Sequence, residues 1–102
     1  MKSSEILREV AARCLEGKVR FICNAVKEVT WNLGIYGGRE QVAILAAVQD
    51  FIGEAGITYD SYLCRKTGCA LSPRTEGHQE FVNFLRHKLC IFLAEQFELE
   101  GD

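Results

Sequence analysis

Four residues have the types and order of a tetrahedral zinc site. Cys64 and Cys69 stand five positions apart across Gly68, and His87 and Cys90 stand three apart, a spacing that places both on one helix face. Two soft thiolates, a third thiolate and an imidazole would complete the first shell of a structural zinc ion. Against this, no pair of cysteines in the chain is separated by only two residues. Cys90 also lies beside an apolar stripe, where a cysteine behaves as a small hydrophobe. The preferred expectation is therefore buried thiols and no cofactor, with zinc as the alternative.

Cysteine nucleophilic catalysis would need a thiol held next to a base and an oxyanion hole. His78 and His87 are the only histidines, and no catalytic signature surrounds Cys14, Cys23, Cys64, Cys69 or Cys90. No pair of carboxylates suggests acid–base work either. The expectation is a protein that is not an enzyme.

Two binding chemistries are open. Tyr36-Gly37-Gly38-Arg39 precedes a helix, so its backbone N–H groups could cradle an anion such as a nucleotide phosphate, with Arg39 adding charge and Tyr36 a stacking face. The segment matches neither the Walker nor the dinucleotide fingerprint, and a plain helix–helix turn explains it as well. The second is a basic surface. From Arg65 to Lys88 the basic residues Arg65, Lys66, Arg74, Arg86 and Lys88 are opposed only by Glu76 and Glu80, a net of +3. Such a patch could meet an acidic protein surface, or nucleic acid through its phosphates, although most such runs are simply a solvated face. Tyr59 and Tyr62, just before it, are of the type that anchors protein interfaces. Trp31 falls off the main stripe of its segment and is a further aromatic of this kind, although core burial is the simpler fate for all three.

The elements that must position these residues read as helices. Residues 4–16 place Ile6, Leu7, Val10, Ala11, Cys14 and Leu15 on one stripe of a 3.6-residue period, with Ser3 or Ser4 as cap and Gly17 as terminator. Residues 19–33 repeat the offsets with Phe21, Ile22, Ala25, Val26, Val29 and Leu33, although the β-branched start could also open as a strand. Residues 39–55 contain an unbroken apolar run, 42–48, which predicts the central, most buried helix. A short helix over 58–64 and an irregular stretch over 67–77 follow, the latter holding the single proline. A last helix over 78–97 carries Phe81, Leu85, Leu89, Phe92, Leu93 and Phe97, and an acidic, frayed tail begins at about residue 98. The expected fold is all-α: one domain, 1–102, a compact bundle of four main helices plus one short helix.

Bulk properties agree. The chain has 102 residues, 48% of them hydrophobic and 25% charged, enough for a core without a staple. A net charge of −2 argues against a dedicated nucleic-acid binder. Five cysteines are an odd number, and Lys2-Ser3-Ser4-Glu5 leads into a charged helix rather than an apolar leader, so a reducing cytoplasm is expected. The longest apolar run is too short for a membrane span.

Scattered motifs carry a resemblance. Glu5-Ile6-Leu7-Arg8, then Phe21-Ile22-Cys23-Asn24-Ala25-Val26, then Tyr62-Leu63, and a closing helix with Phe84-Leu85-Arg86 and Leu93-Ala94-Glu95-Gln96-Phe97 resemble small accessory proteins of tailed bacteriophages. The resemblance brings no catalytic residue with it. It implies a setting, the cytoplasm of a bacterial host, and a role: binding host machinery, as inhibitors of host defence such as anti-CRISPR proteins do, or sequestering a nucleotide signal. The leading expectation is a non-enzymatic protein-binding module directed at a host protein, using Tyr59, Tyr62, Arg65, Lys66, Arg74, Arg86 and Lys88. A small-anion binder using Tyr36, Gly37, Gly38 and Arg39 is the alternative, and a zinc-stabilised module is the third. A second copy of the chain is a further candidate partner.

Overall fold

The computed structural model describes residues 1–53 and 78–101. Within them the chain is an all-α bundle of four helices: α1 (Ser3–Leu15), α2 (Ile22–Asn32), α3 (Arg39–Gly53) and α4 (His78–Leu99). The short helix and the irregular stretch expected over 58–64 and 67–77 lie outside the described residues. No helix among the described residues is long and apolar enough to cross a membrane.

Among the described residues, α1 is the most heavily packed helix. It packs most extensively on α4 and also meets α2 and α3, which meet each other. Ile6, Leu7, Val10, Ala11 and Cys14 have no solvent exposure. Burying each large aliphatic side chain of this stripe contributes about 1.5–3 kcal/mol. This corrects the expectation that residues 39–55 form the central helix. On α3, Gln41, Ile44, Val48 and Phe51 are buried, whereas Val42 is 60% exposed and Ala46 also faces out. A continuous apolar run covers every side of a helix, so its length says nothing about which sides are covered. The alternation of three- and four-residue steps from Gln41 to Phe51 is the part of the pattern that marks the packed face.

The helix ends follow local chemistry. Both α1 and α2 close with the same glycine motif. Gly17, at φ +75°, donates its N–H to Cys14 O (3.1 Å), and the next N–H, of Lys18, reaches Arg13 O (3.3 Å). Gly34, also at φ +75°, donates to Trp31 O (3.1 Å), and Ile35 N–H reaches Thr30 O (2.9 Å). This pair of bonds satisfies carbonyls that the last turn leaves without helical partners. The starts differ from expectation. Ser3 and Ser4 lie inside the first turn of α1 and are buried, so Lys2 is the cap residue. Helix α2 begins only at Ile22, because Phe21 is extended (φ −130°, ψ 127°) and serves as its cap residue. Phe21 is therefore outside the helical period and 57% exposed, not in the core, and the Arg20 guanidinium sits 5.5 Å from its ring centroid.

Helix α4 lies antiparallel to α1. Arg8 pairs with Glu98 (2.6 Å), His87 Nδ1 lies 3.0 Å from Ala11 O, and the Arg86 guanidinium donates to Val19 O (3.2 Å). Among its described side chains α4 buries Val82, Asn83, Leu85, Leu89, Cys90, Leu93 and Ala94, while Phe92 is partly exposed and meets Phe51 with centroids 5.8 Å apart. The helix runs through Leu99, and Glu98 near its end pairs with Arg8.

Candidate functional site

The α2–α3 turn carries two exposed aromatic side chains that touch. Trp31 is 68% exposed and Tyr36 54% exposed, and their rings meet edge to face with centroids 5.2 Å apart. Leu33, between them in sequence, is exposed too. Edge-to-face pairs of this kind add about 0.5–1.5 kcal/mol beyond area burial, so each ring steadies the other in water.

The turn beneath the rings is ordered by polar groups. Thr30 is fully buried and Gln41 nearly so. The Thr30 hydroxyl donates to Val26 O (2.8 Å) and accepts from Gln41 Nε2 (2.9 Å), while Gln41 Oε1 accepts the Gly37 N–H (2.8 Å). The relay thus grips the residue before Trp31 and the residue after Tyr36. Gly37 sits at φ +78°, which glycine adopts without strain. Gly38 donates its N–H to Ile35 O (2.9 Å), and a Cβ there would stand 2.9 Å from that same oxygen. The chain comes too close for any side chain.

These bonds bear on the anion cradle expected at Tyr36, Gly37, Gly38 and Arg39. The N–H groups of Gly37 and Gly38 are engaged within the turn, by Gln41 and Ile35. Tyr36 faces Trp31, and Arg39 is exposed at the first position of α3.

Of the residues expected to meet a partner, Tyr59, Tyr62, Arg65, Lys66 and Arg74 lie outside the described residues. Arg86 and Lys88 do not act alike. Arg86 is half-buried and holds the backbone at Val19, whereas Lys88 is exposed with its ammonium 5.7 Å from the Phe84 ring centroid. Of the zinc ligands, Cys64 and Cys69 also lie outside. His87 is turned to Ala11 O, and Cys90 is fully buried in the core. No group of three or more His, Cys, Asp or Glu side chains among the described residues could hold a metal ion.

The Cys14–Cys90 pair spans α1 and α4. Both are fully buried in the one hydrophobic core, and their acidities move in opposite directions. The hydrogen bond from Cys90 pulls the Cys14 thiol below its ordinary value, with the Arg86 charge assisting and burial opposing. The same bond pushes Cys90 well up, reinforced by burial and by the nearby Cys14 charge. Cys23, half-buried on α2, is pushed up by burial, with Lys27 opposing.

A groove of about 610 Å³ between α1 and α2 is lined by Glu9, Arg13, Glu16, Lys18, Phe21 and Glu28, among others. Its charges neutralise one another: Arg13 meets Glu28 (3.1 Å) and Glu9 (3.9 Å), and Lys18 meets Glu16 (3.2 Å). Exposed pairs of this kind contribute little, and they leave the groove without a directed charge.

Sequence reasoning singled out Trp31 and Tyr36 separately and did not join them. The signal that links them is the Thr30–Gln41 spacing across a double glycine, a buried polar pair that only tertiary structure brings together. No known protein family matches the chain, and no curated protein sequence or solved structure is similar to it.

Proposed function

We propose that the chain is a non-enzymatic protein-binding module whose contact surface includes the Trp31–Tyr36 pair. The observation that carries this reading is a tryptophan left 68% exposed on a turn that buried hydrogen bonds make rigid. Exposed apolar clusters of this kind mark interaction sites. Tryptophan and tyrosine are the side chains whose truncation most often removes about 2 kcal/mol or more of binding energy. Their rigid setting also limits the entropy lost when a partner docks. The bacteriophage setting implied by the sequence resemblance makes bacterial host proteins, defence components among them, the partners to test first. The engaged glycine N–H groups leave the anion-binding alternative without an observation in its favour.

The test is photo-crosslinking inside a bacterial host. A benzophenone side chain replaces Tyr36 in one variant and Glu95, on the exposed face of α4, in another. One discrete protein adduct from position 36, absent from position 95 and lost when Trp31→Ala is added, supports the reading. An adduct that is a second copy of this chain would make the surface a homodimer face. Identical adduct patterns from both positions would remove the aromatic pair from the argument.

A further inference from the structure

We infer that the Trp31–Tyr36 pair takes a short proline-rich segment of its partner, held in the polyproline II conformation; this rests on the contact surface proposed above and names the partner's chemistry. The area offered suits a short segment. An aromatic side chain buries about 150–250 Å² when fully covered, and Trp31 and Tyr36 are 68% and 54% exposed. The two rings therefore present a few hundred Å² at most, whereas a stable contact between globular surfaces covers roughly 800 Å² on each side. Exposed Leu33 adds apolar surface without closing that gap. So small a surface cannot offset the ordering of a flexible chain, and its occupant is a segment already ordered in solution. Short isolated helices are marginal in water. Polyproline II is not: proline fixes its own φ, and the conformation needs no internal hydrogen bonds.

Shape and polarity point the same way. The ring planes cross at 77° with centroids 5.2 Å apart. One ring meets the other edge-on, which leaves a right-angled notch with a π face on each wall. The turn beneath is fixed by the Thr30–Gln41 relay, so the notch is formed before a ligand arrives. A proline ring is compact and apolar, and the C–H groups beside its amide nitrogen are electron-poor, a match for the negative faces of aromatic rings. The polar groups of the rings are donors. Neither the indole N–H of Trp31 nor the hydroxyl of Tyr36 has a hydrogen-bond partner among the described residues, and the indole can only donate. A proline-rich segment carries solvated carbonyls and few N–H groups, so it meets donors with acceptors. Charge adds a preference. Lys27, one helical turn before Trp31, and Arg39, three residues after Tyr36, are exposed and in no ion pair among the described residues, whereas Glu28 is held by Arg13 at 3.1 Å. Two such cations against Glu40, which lies beside Gly38, suit a segment with an acidic residue next to its prolines.

The test selects a random library of short displayed peptides on the full chain, and again on Trp31→Ala. Peptides that bind the first and not the second should carry prolines three positions apart, which share one ridge of the polyproline II helix. Titration with the tightest of them follows the emission of Trp31, the single tryptophan of the chain. A saturable shift is expected. Tyr36→Ala should weaken binding about 30-fold, the loss of one aromatic anchor. Tyr36→Phe should weaken it about fivefold, the loss of the donor alone. Both variants should melt by circular dichroism as the wild type does. Trp31-dependent peptides that lack proline would overturn the inference and leave the protein-binding surface standing. Undiminished affinity for the selected peptide after its prolines are replaced by alanine would overturn it too. So would the absence of any Trp31-dependent peptide, and the crosslink from position 36 then decides separately whether the surface binds protein at all.

Discussion

The α1–α4 face and the α2–α3 turn hold the chain together by opposite means. Across α1–α4 the packing is made mainly of aliphatic and small side chains, with the His87 contact to Ala11 O and the Arg8–Glu98 pair beside them. At the α2–α3 turn a buried hydroxyl and a buried amide fix the backbone, and the large apolar rings stay outside in water. The first arrangement spends hydrophobic surface on stability. The second uses hydrogen bonds for local order and so frees hydrophobic surface for something else. A buried polar relay beneath exposed aromatics therefore separates what holds a site from what the site presents.

The comparison can be broken or sharpened by substitution. The largest effect is expected from Leu89→Ala on the α1–α4 face, which should lower unfolding free energy by about 2–5 kcal/mol in a urea titration. A loss no larger than that of a surface mutation would mean that this face is not the centre of the core. Next is Thr30→Val, which leaves the Gln41 amide unsatisfied in a buried site at a cost of about 1–3 kcal/mol. Thr30→Val combined with Gln41→Leu should cost less than the sum of the two single changes, and strict additivity would dissolve the relay. Gly37→Ala puts a Cβ at positive φ and should cost about 1–2 kcal/mol. Arg8→Ala, removing a half-exposed ion pair to Glu98, should change stability by less than about 1 kcal/mol. Smallest in stability is Trp31→Ala, expected within about 0.5 kcal/mol of wild type while eliminating the position-36 crosslink. If it unfolded the domain, the turn would belong with the core rather than stand apart from it.

Much of this architecture is written in the sequence. The stripes of Ile6, Leu7, Val10 and Ala11 and of Ala25, Val26 and Val29 emerge from a 3.6-residue period, and Gly17 and Gly34 mark the stops because the positive φ there favours glycine. The hub role of α1 is not legible. It depends on which helix the others choose to pack against, and the longest apolar run pointed to α3 instead. Phe21 misleads for a related reason: one residue of extended backbone takes it off the stripe. The candidate site is half legible. Trp31 and Tyr36 are conspicuous as residue types, but their contact depends on a turn set by Thr30 and Gln41. That Cys14 and Cys90 share one core depends on how two helices far apart in the chain pack, and no local pattern encodes it.

The antiparallel seat of α4 on α1 has a consequence for synthesis. Arg8 and Glu98 are 90 positions apart, so the most extensive interface in the domain is also among its most non-local. At about 5–20 residues per second, the ribosome exposes Ile6, Leu7 and Val10 for several seconds before α4 exists to cover them. During that interval α1 rests on α2 and α3 alone, and the nascent chain offers a greasy helix to any chaperone within reach. Closure by a late, distant partner slows folding relative to a bundle of neighbouring hairpins. The finished domain is settled only when its last helix arrives.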